Sequence, residues 1–184
     1  MQRTLRRAVL VLLLFAVIAG TAAALTTRPD LDRARDSATA TWRAVRSPLT
    51  ARYDALSTAN NAVRDAGGTG RDVVDDTRAA VARWRDAASG SPVSEQVAAA
   101  NALEGLARRL AATVEASELL RADAAVVAAI SDLADATIPE AGRAFNEAAR
   151  DYEAERGGPV RHLVAGLLGY DAIPALDLGG SPHT

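Results

Sequence analysis

Residues 31–63 read LDRARDSATATWRAVRSPLTARYDALSTANNAV, and their spacing decides the fold. Leu31, Ala34, Ala38, Trp42, Val45, Leu49, Tyr53, Leu56 and Val63 recur three or four residues apart. That is the period of one face of an α-helix. Asn60 fills the gap in the stripe, and Pro48 falls inside it with Ser47 as a plausible N-cap. The register survives the proline, so the segment reads as one kinked helix from about 31 to 66 or as two helices in line.

Working downstream, the same period returns three times. Val74, Thr77, Val81, Trp84 and Ala88 make a 3-4-3-4 seam over about 71–88, the spacing of helices packed side by side. Ser91-Pro92 opens a third stripe of Val93, Val97, Ala100, Leu103, Leu106, Leu110 and Val114. A fourth helix is expected from Asp123 to Arg156. Its stripe is Val126, Ile130, Leu133, Thr137, Ala141, Phe145, Ala148 and Tyr152, with a kink at Pro139. Short glycine-rich or polar connections force neighbouring helices antiparallel. After Gly157-Gly158-Pro159, positions 160, 163, 164, 167 and 168 define the apolar face of a short helix.

Upstream, Arg3, Arg6 and Arg7 precede a stretch without charge from Ala8 to Leu25. Spanning a bilayer takes about 20 apolar residues, so this stretch is just long enough for a transmembrane anchor. A cleaved signal peptide, cut near Ala24, is the competing reading. The positive-inside tendency places the N-terminus in the cytoplasm and the helical domain on the extracytoplasmic side.

The expected fold is therefore all-α: an N-terminal transmembrane helix followed by an elongated antiparallel up-down bundle of about four helices. The expected organisation is a basic flank (1–7), an anchor (8–25), a bundle (26–158), a short amphipathic helix (159–170) and a flexible tail (171–184).

Composition agrees with this and narrows the chemistry. The 184 residues are 49% hydrophobic but only 4% aromatic, and alanine supplies much of the apolar content. All 21 basic residues are arginine, and the net charge of −2 offers no basic field for nucleic acid. The absence of cysteine excludes disulfides and thiolate chemistry. Gly67-Gly68-Thr69-Gly70-Arg71 lacks the Lys-Ser/Thr of a phosphate loop and reads as a turn. Asp72, Asp75, Asp76 and Glu95 have no histidine at ligand spacing and read as a solvated face. His162 is the sole plausible general base, with no nucleophile motif to serve. No catalytic, cofactor or metal residues are expected.

The C-terminal half carries a resemblance. Phe145-Asn146 is followed seven residues later by Tyr152-Glu153. Gly158-Pro159 comes next, and then Leu163, Ala165, Gly166, Leu167, Gly169 and Tyr170. This order is similar to that of the LemA proteins, bacterial membrane-anchored helical bundles. Their pattern has Asn at the position of Glu153 and Phe-Pro at that of Gly158-Pro159. Tyr53-Asp54, with Asn61 and Val63, resembles the family's opening helix, and Glu115 to Ala122 resembles a turn of the family without its Tyr-Pro. Around residues 70–85 the family's Arg-Arg-x-Asp-Leu-Ile-Pro-Asn-Leu segment is replaced by Arg71-Asp72-Val73-Val74-Asp75-Asp76-Thr77. The resemblance covers about residues 50–170 and implies a divergent member with an N-terminal anchor, an extended bundle and no established enzymatic activity.

Tyr53, Asn60, Phe145, Asn146, Tyr152, Leu163, Leu167 and Tyr170 are the candidate structural or partner-contact residues. Trp42 and Trp84 are expected as core anchors. The expected role is a non-catalytic scaffold or adaptor for envelope proteins. Its expected partners are the membrane and an unidentified envelope protein or a second copy. The alternative is a secreted helical module that binds a small ligand.

Overall fold

The structure, a computed structural model, describes residues 2–67 and 70–177, with side chains from 28 onward except at 159 and 160. The side chains of the expected anchor (8–25), position 160 of the short amphipathic face, and the tail from 178 to 184 lie outside that description. Every element among the described residues is an α-helix: α1 (Gln2–Asp65), α2 (Arg71–Gly90), α3 (Val93–Ala116), α4 (Glu118–Ala122), α5 (Ala124–Asp135), α6 (Pro139–Arg156) and α7 (Pro159–Leu167). Among the residues whose side chains are described, no helix is long and apolar enough to cross a membrane; the expected anchor (8–25) lies outside that set.

Helix α1 is the axis of the molecule. It runs 64 residues without interruption through both Pro29 and Pro48. At 1.5 Å per residue this is about 95 Å of helix. The choice between one helix and two at Pro48 falls to one, and Ser47 caps nothing. Val45 and Leu49, on either side of the proline, are both fully buried, so packing holds the helix where the backbone lacks a donor.

The other helices lie along α1 in alternating directions. Asn60 bonds the backbone of Val74, and Tyr53 stacks on Trp84, so α2 runs antiparallel to α1. Trp42 bonds Gln96 and Arg52 bonds Glu104, so α3 runs parallel to it. Arg52 also reaches Leu133, and Trp42 packs on Phe145, so α5 and α6 together descend along α1. The four expected stripes form the core; of their members, Thr137 is exposed.

The expected single helix from Asp123 to Arg156 is two helices, not one kinked helix. Pro139 has no N–H and cannot follow residue 135 in a helical turn, so the chain leaves the helix at 136–138 and restarts with proline in the first turn of α6. Asp123 caps α5 by accepting from the N–H groups of Ala125 and Val126.

Four of the seven aromatic residues meet in one place. Trp42 and Trp84 pack edge to face with centroids 6.3 Å apart; Trp42 lies 4.9 Å from Phe145 and Trp84 lies 5.0 Å from Tyr53. Both tryptophans are buried core anchors, as expected from the stripe. The Trp42 Nε1–H donates to Gln96 Oε1 at 2.7 Å, which satisfies the one polar atom of a buried indole.

Residues 171–177 depart from the expected flexible tail. They form an extended strap laid back along the bundle, with Ile173 and Leu176 buried. The burial of these two side chains contributes to holding it.

Candidate functional site

The densest polar constructions in the bundle are a sealed ion pair at its centre and the seat of the C-terminal strap. The ion pair comes first in the chain. Arg52 Nε and Nη2 donate to the two carboxylate oxygens of Glu104 at 2.7 and 2.9 Å. Its Nη1 donates to the carbonyls of Leu133 and Ala136. Those carbonyls belong to the end of α5, where helical acceptors have no partner of their own. One guanidinium therefore joins α1, α3 and the α5–α6 break. Its hydrogen bonds to Glu104 raise the Arg52 pKa above the ordinary arginine value. Beside it, burial and then the Glu104 carboxylate push the Tyr53 hydroxyl far above the ordinary tyrosine range. Tyr53 donates to the Ala100 carbonyl at 3.2 Å.

The strap seat is built from α3 and α6. Asn146 on α6 donates to the Leu176 carbonyl and accepts from the Leu176 N–H, at 2.9 and 2.7 Å. Asn101 on α3 donates to the Ala175 carbonyl at 2.9 Å and accepts from the Asp177 N–H at 2.7 Å. Glu153 Oε1 accepts from the Ile173 N–H, and Tyr152 donates to the Asp171 carbonyl, both at 2.9 Å. Arg156 donates to the Tyr170 carbonyl at 3.1 Å, and Arg108 pairs with Asp177. The side chains thus read the backbone of the strap, as a neighbouring β-strand would.

Tyr170 is delivered to this seat by the end of α7. Gly169, at φ 74°, reverses the chain; its N–H donates to the Gly166 carbonyl and the Tyr170 N–H donates to the Ala165 carbonyl. This paired closure is the glycine-ended helix cap, and it accounts for glycine before the aromatic residue. The Tyr170 hydroxyl then bonds the Asp32 carboxylate on α1, and Arg35 lies over the ring. Burial, ahead of the bond to Asp32, raises the Tyr170 pKa, and burial also raises that of Tyr152.

The candidate residues from the sequence divide into groups. Asn146, Tyr152 and Tyr170 meet around the strap. Phe145 is in the core on Trp42, and Tyr53 is in the core beside the ion pair. Asn60 is buried between α1 and α2, where its Nδ2 donates to the Val74 carbonyl at 3.0 Å. Its Oδ1 has no partner among the described residues.

The apolar face of 163, 164, 167 and 168, which could either close the end of the bundle or dock on a membrane surface or a partner, is divided. Val164 and Ala165 turn inward, and Leu163, Leu167 and Leu168 are exposed. Of residues 161–168, only Val164 and Ala165 are buried against the bundle.

Sequence reasoning missed Arg52, Asn101, Glu104 and Arg156, all charged or polar positions adjoining apolar stripes. The signal for Asn101 was a poor helix former set in the middle of α3.

The model of the LemA family matches residues 41–181. The chain belongs to the LemA family. No match was found among functionally curated proteins or among solved structures. In this LemA-family chain, the Phe145-Asn146 pair supplies a core aromatic and a strap ligand. Glu153, noted in the sequence as a departure from the resembled pattern, accepts from the strap while its other oxygen takes Arg156.

Proposed function

We propose that this LemA-family chain is a non-catalytic, membrane-anchored scaffold or adaptor for proteins of the cell envelope. In this reading residues 8–25 cross the membrane once and the bundle stands on the extracytoplasmic side. The observation that carries it is α1. One unbroken helix holds both the apolar N-terminal stretch and the central stripe of the bundle. A bundle fixed to its anchor by a continuous helix holds its side faces at a defined height and angle, which suits a scaffold. The half-buried Arg52 and the buried Glu104, Gln96 and Asn60 use their hydrogen bonds to join helices, which supports a structural role for them.

The test is photo-crosslinking in intact cells, with single probes at Arg83 on α2 and Glu147 on α6. Both positions are exposed. One dominant envelope protein captured from one face supports the adaptor. Crosslinks to a second copy of the chain alone point to a structural oligomer. No specific product from either face sinks the scaffold.

A second reading, a secreted module released near Ala24, rests on one cleft. It has a volume of about 310 Å³ and is lined by Arg35, Arg43, Arg46, Gln96 and Asp171, among others. The mass and location of the native chain separate the two: a trimmed chain in the medium supports the secreted module.

A further inference from the structure

We propose that α7 is a lipid-docking element whose outward leucines lie in the interfacial layer of the membrane that holds residues 8–25. This deepens the anchored reading above and rests on it. Leu163 is 68% exposed, Leu167 86% and Leu168 40%. Three of the five large hydrophobic residues exposed among the described ones thus fall within six positions, two on α7 and one directly after it. Leu163 and Leu167 are one helical turn apart and share a face. They cannot turn inward, because Val164 and Ala165 already hold the inner face.

The position of α7 names its occupant. Helix α6 descends α1 from Phe145, against Trp42, to Tyr152 and Arg156, which bond the strap at Asp171 and Tyr170. Tyr170 is tied to Asp32 and Arg35. So α7 follows at the end of the bundle from which α1 continues toward residues 8–25. Asp32 lies seven residues beyond Leu25, about 10 Å along a helix. An amphipathic helix in the interface sinks about 5–10 Å, so the leucines stand within reach of that layer. A helix of nine residues binds lipid weakly alone. Tethering by α1 raises its effective concentration at the surface, so weak affinity suffices. Arg161 and His162, both exposed, give the helix a polar flank suited to headgroups.

The absence of cysteine lets one introduced thiol carry one label. The full chain, labelled with an environment-sensitive dye at His162→Cys, Leu14→Cys or Arg83→Cys, is reconstituted into phosphatidylcholine–phosphatidylglycerol vesicles with or without brominated acyl chains. Expected is a loss of emission in brominated vesicles at 162 and 14, and none at 83. Adding Leu163→Asp and Leu167→Asp removes the loss at 162 and keeps that at 14, with helical content unchanged. Quenching at 14 alone overturns lipid docking and leaves the anchor standing. Quenching at 162 alone supports docking and overturns the anchor. Quenching at neither overturns both. A blue shift at 162 that grows with protein density and ignores bromine assigns the leucines to a second copy and overturns the lipid.

Discussion

The side-chain amide of Asn146 pairs with both backbone groups of Leu176, donating to the carbonyl at 2.9 Å and accepting from the N–H at 2.7 Å. Two residues 30 apart in sequence are joined by the hydrogen bonds that a strand would make. The consequence is a C-terminal segment fixed to the bundle although it has no secondary structure of its own.

Replacing Asn146 with Ala removes both bonds and leaves buried Leu176 as the main attachment there. Each hydrogen bond contributes about 0.5–1.5 kcal/mol, so the strap loses about 1–3 kcal/mol of local stability. Amide hydrogen exchange is expected to quicken at Leu176 and Ile173 and to stay unchanged in α2. Asn146→Asp keeps the acceptor but sets a carboxylate against the Leu176 carbonyl, so it is expected to release the strap as well. Unchanged exchange in both variants rejects the pairing.

Arg52→Ala leaves the Glu104 carboxylate buried without its partner and frees the carbonyls of Leu133 and Ala136. Breaking a buried pair from one side costs about 3–5 kcal/mol. Urea unfolding of Arg52→Ala should show that loss, while Arg52→Met with Glu104→Leu recovers most of it. A single variant that loses less than the double one contradicts this account.

Tyr53, Tyr152 and Tyr170 all have pKa values raised above the ordinary 10.0. The unfolded chain therefore releases these protons at lower pH than the folded one. The stability from the protonated hydroxyls is complete below pH 10 and falls as pH rises above it toward the folded values. Thermal melts from pH 8 to 11 should decline only beyond about pH 10. Tyr53→Phe removes the largest shift and should flatten that decline.

Gly70 precedes α2 with φ 106°, and a Cβ placed there falls 2.7 Å from the Thr113 methyl of α3. Gly70→Ala combines backbone strain with that close approach and should cost about 1–3 kcal/mol. Gly70→Ala with Thr113→Ser removes the methyl, and its recovery in chemical denaturation measures the steric share.

The helices were legible because burial along a helix repeats with the backbone's own period. Leu31 to Val63, Val74 to Trp84 and Val97 to Val114 announced their inner faces that way. The family pattern over 145–170 was legible as a motif, and the family match bears it out. What each motif residue does was not legible there. Gly169 closes a helix, Tyr170 reaches Asp32, and Asn146 holds a segment outside the motif.

By itself the sequence determined the helical class, the four stripes and the family. Each depends on residues close together in the chain or in a fixed order. Only the tertiary structure decided that Pro48 stays within a helix while Pro139 ends one. Val45 and Leu49 are buried on both sides of the first proline, whereas at the second the freed carbonyls of 133 and 136 find Arg52. It alone turned Ile173 and Leu176 from a tail into a strap, and Leu163 and Leu167 outward. Those outcomes depend on which surfaces distant segments present, and no local period records them.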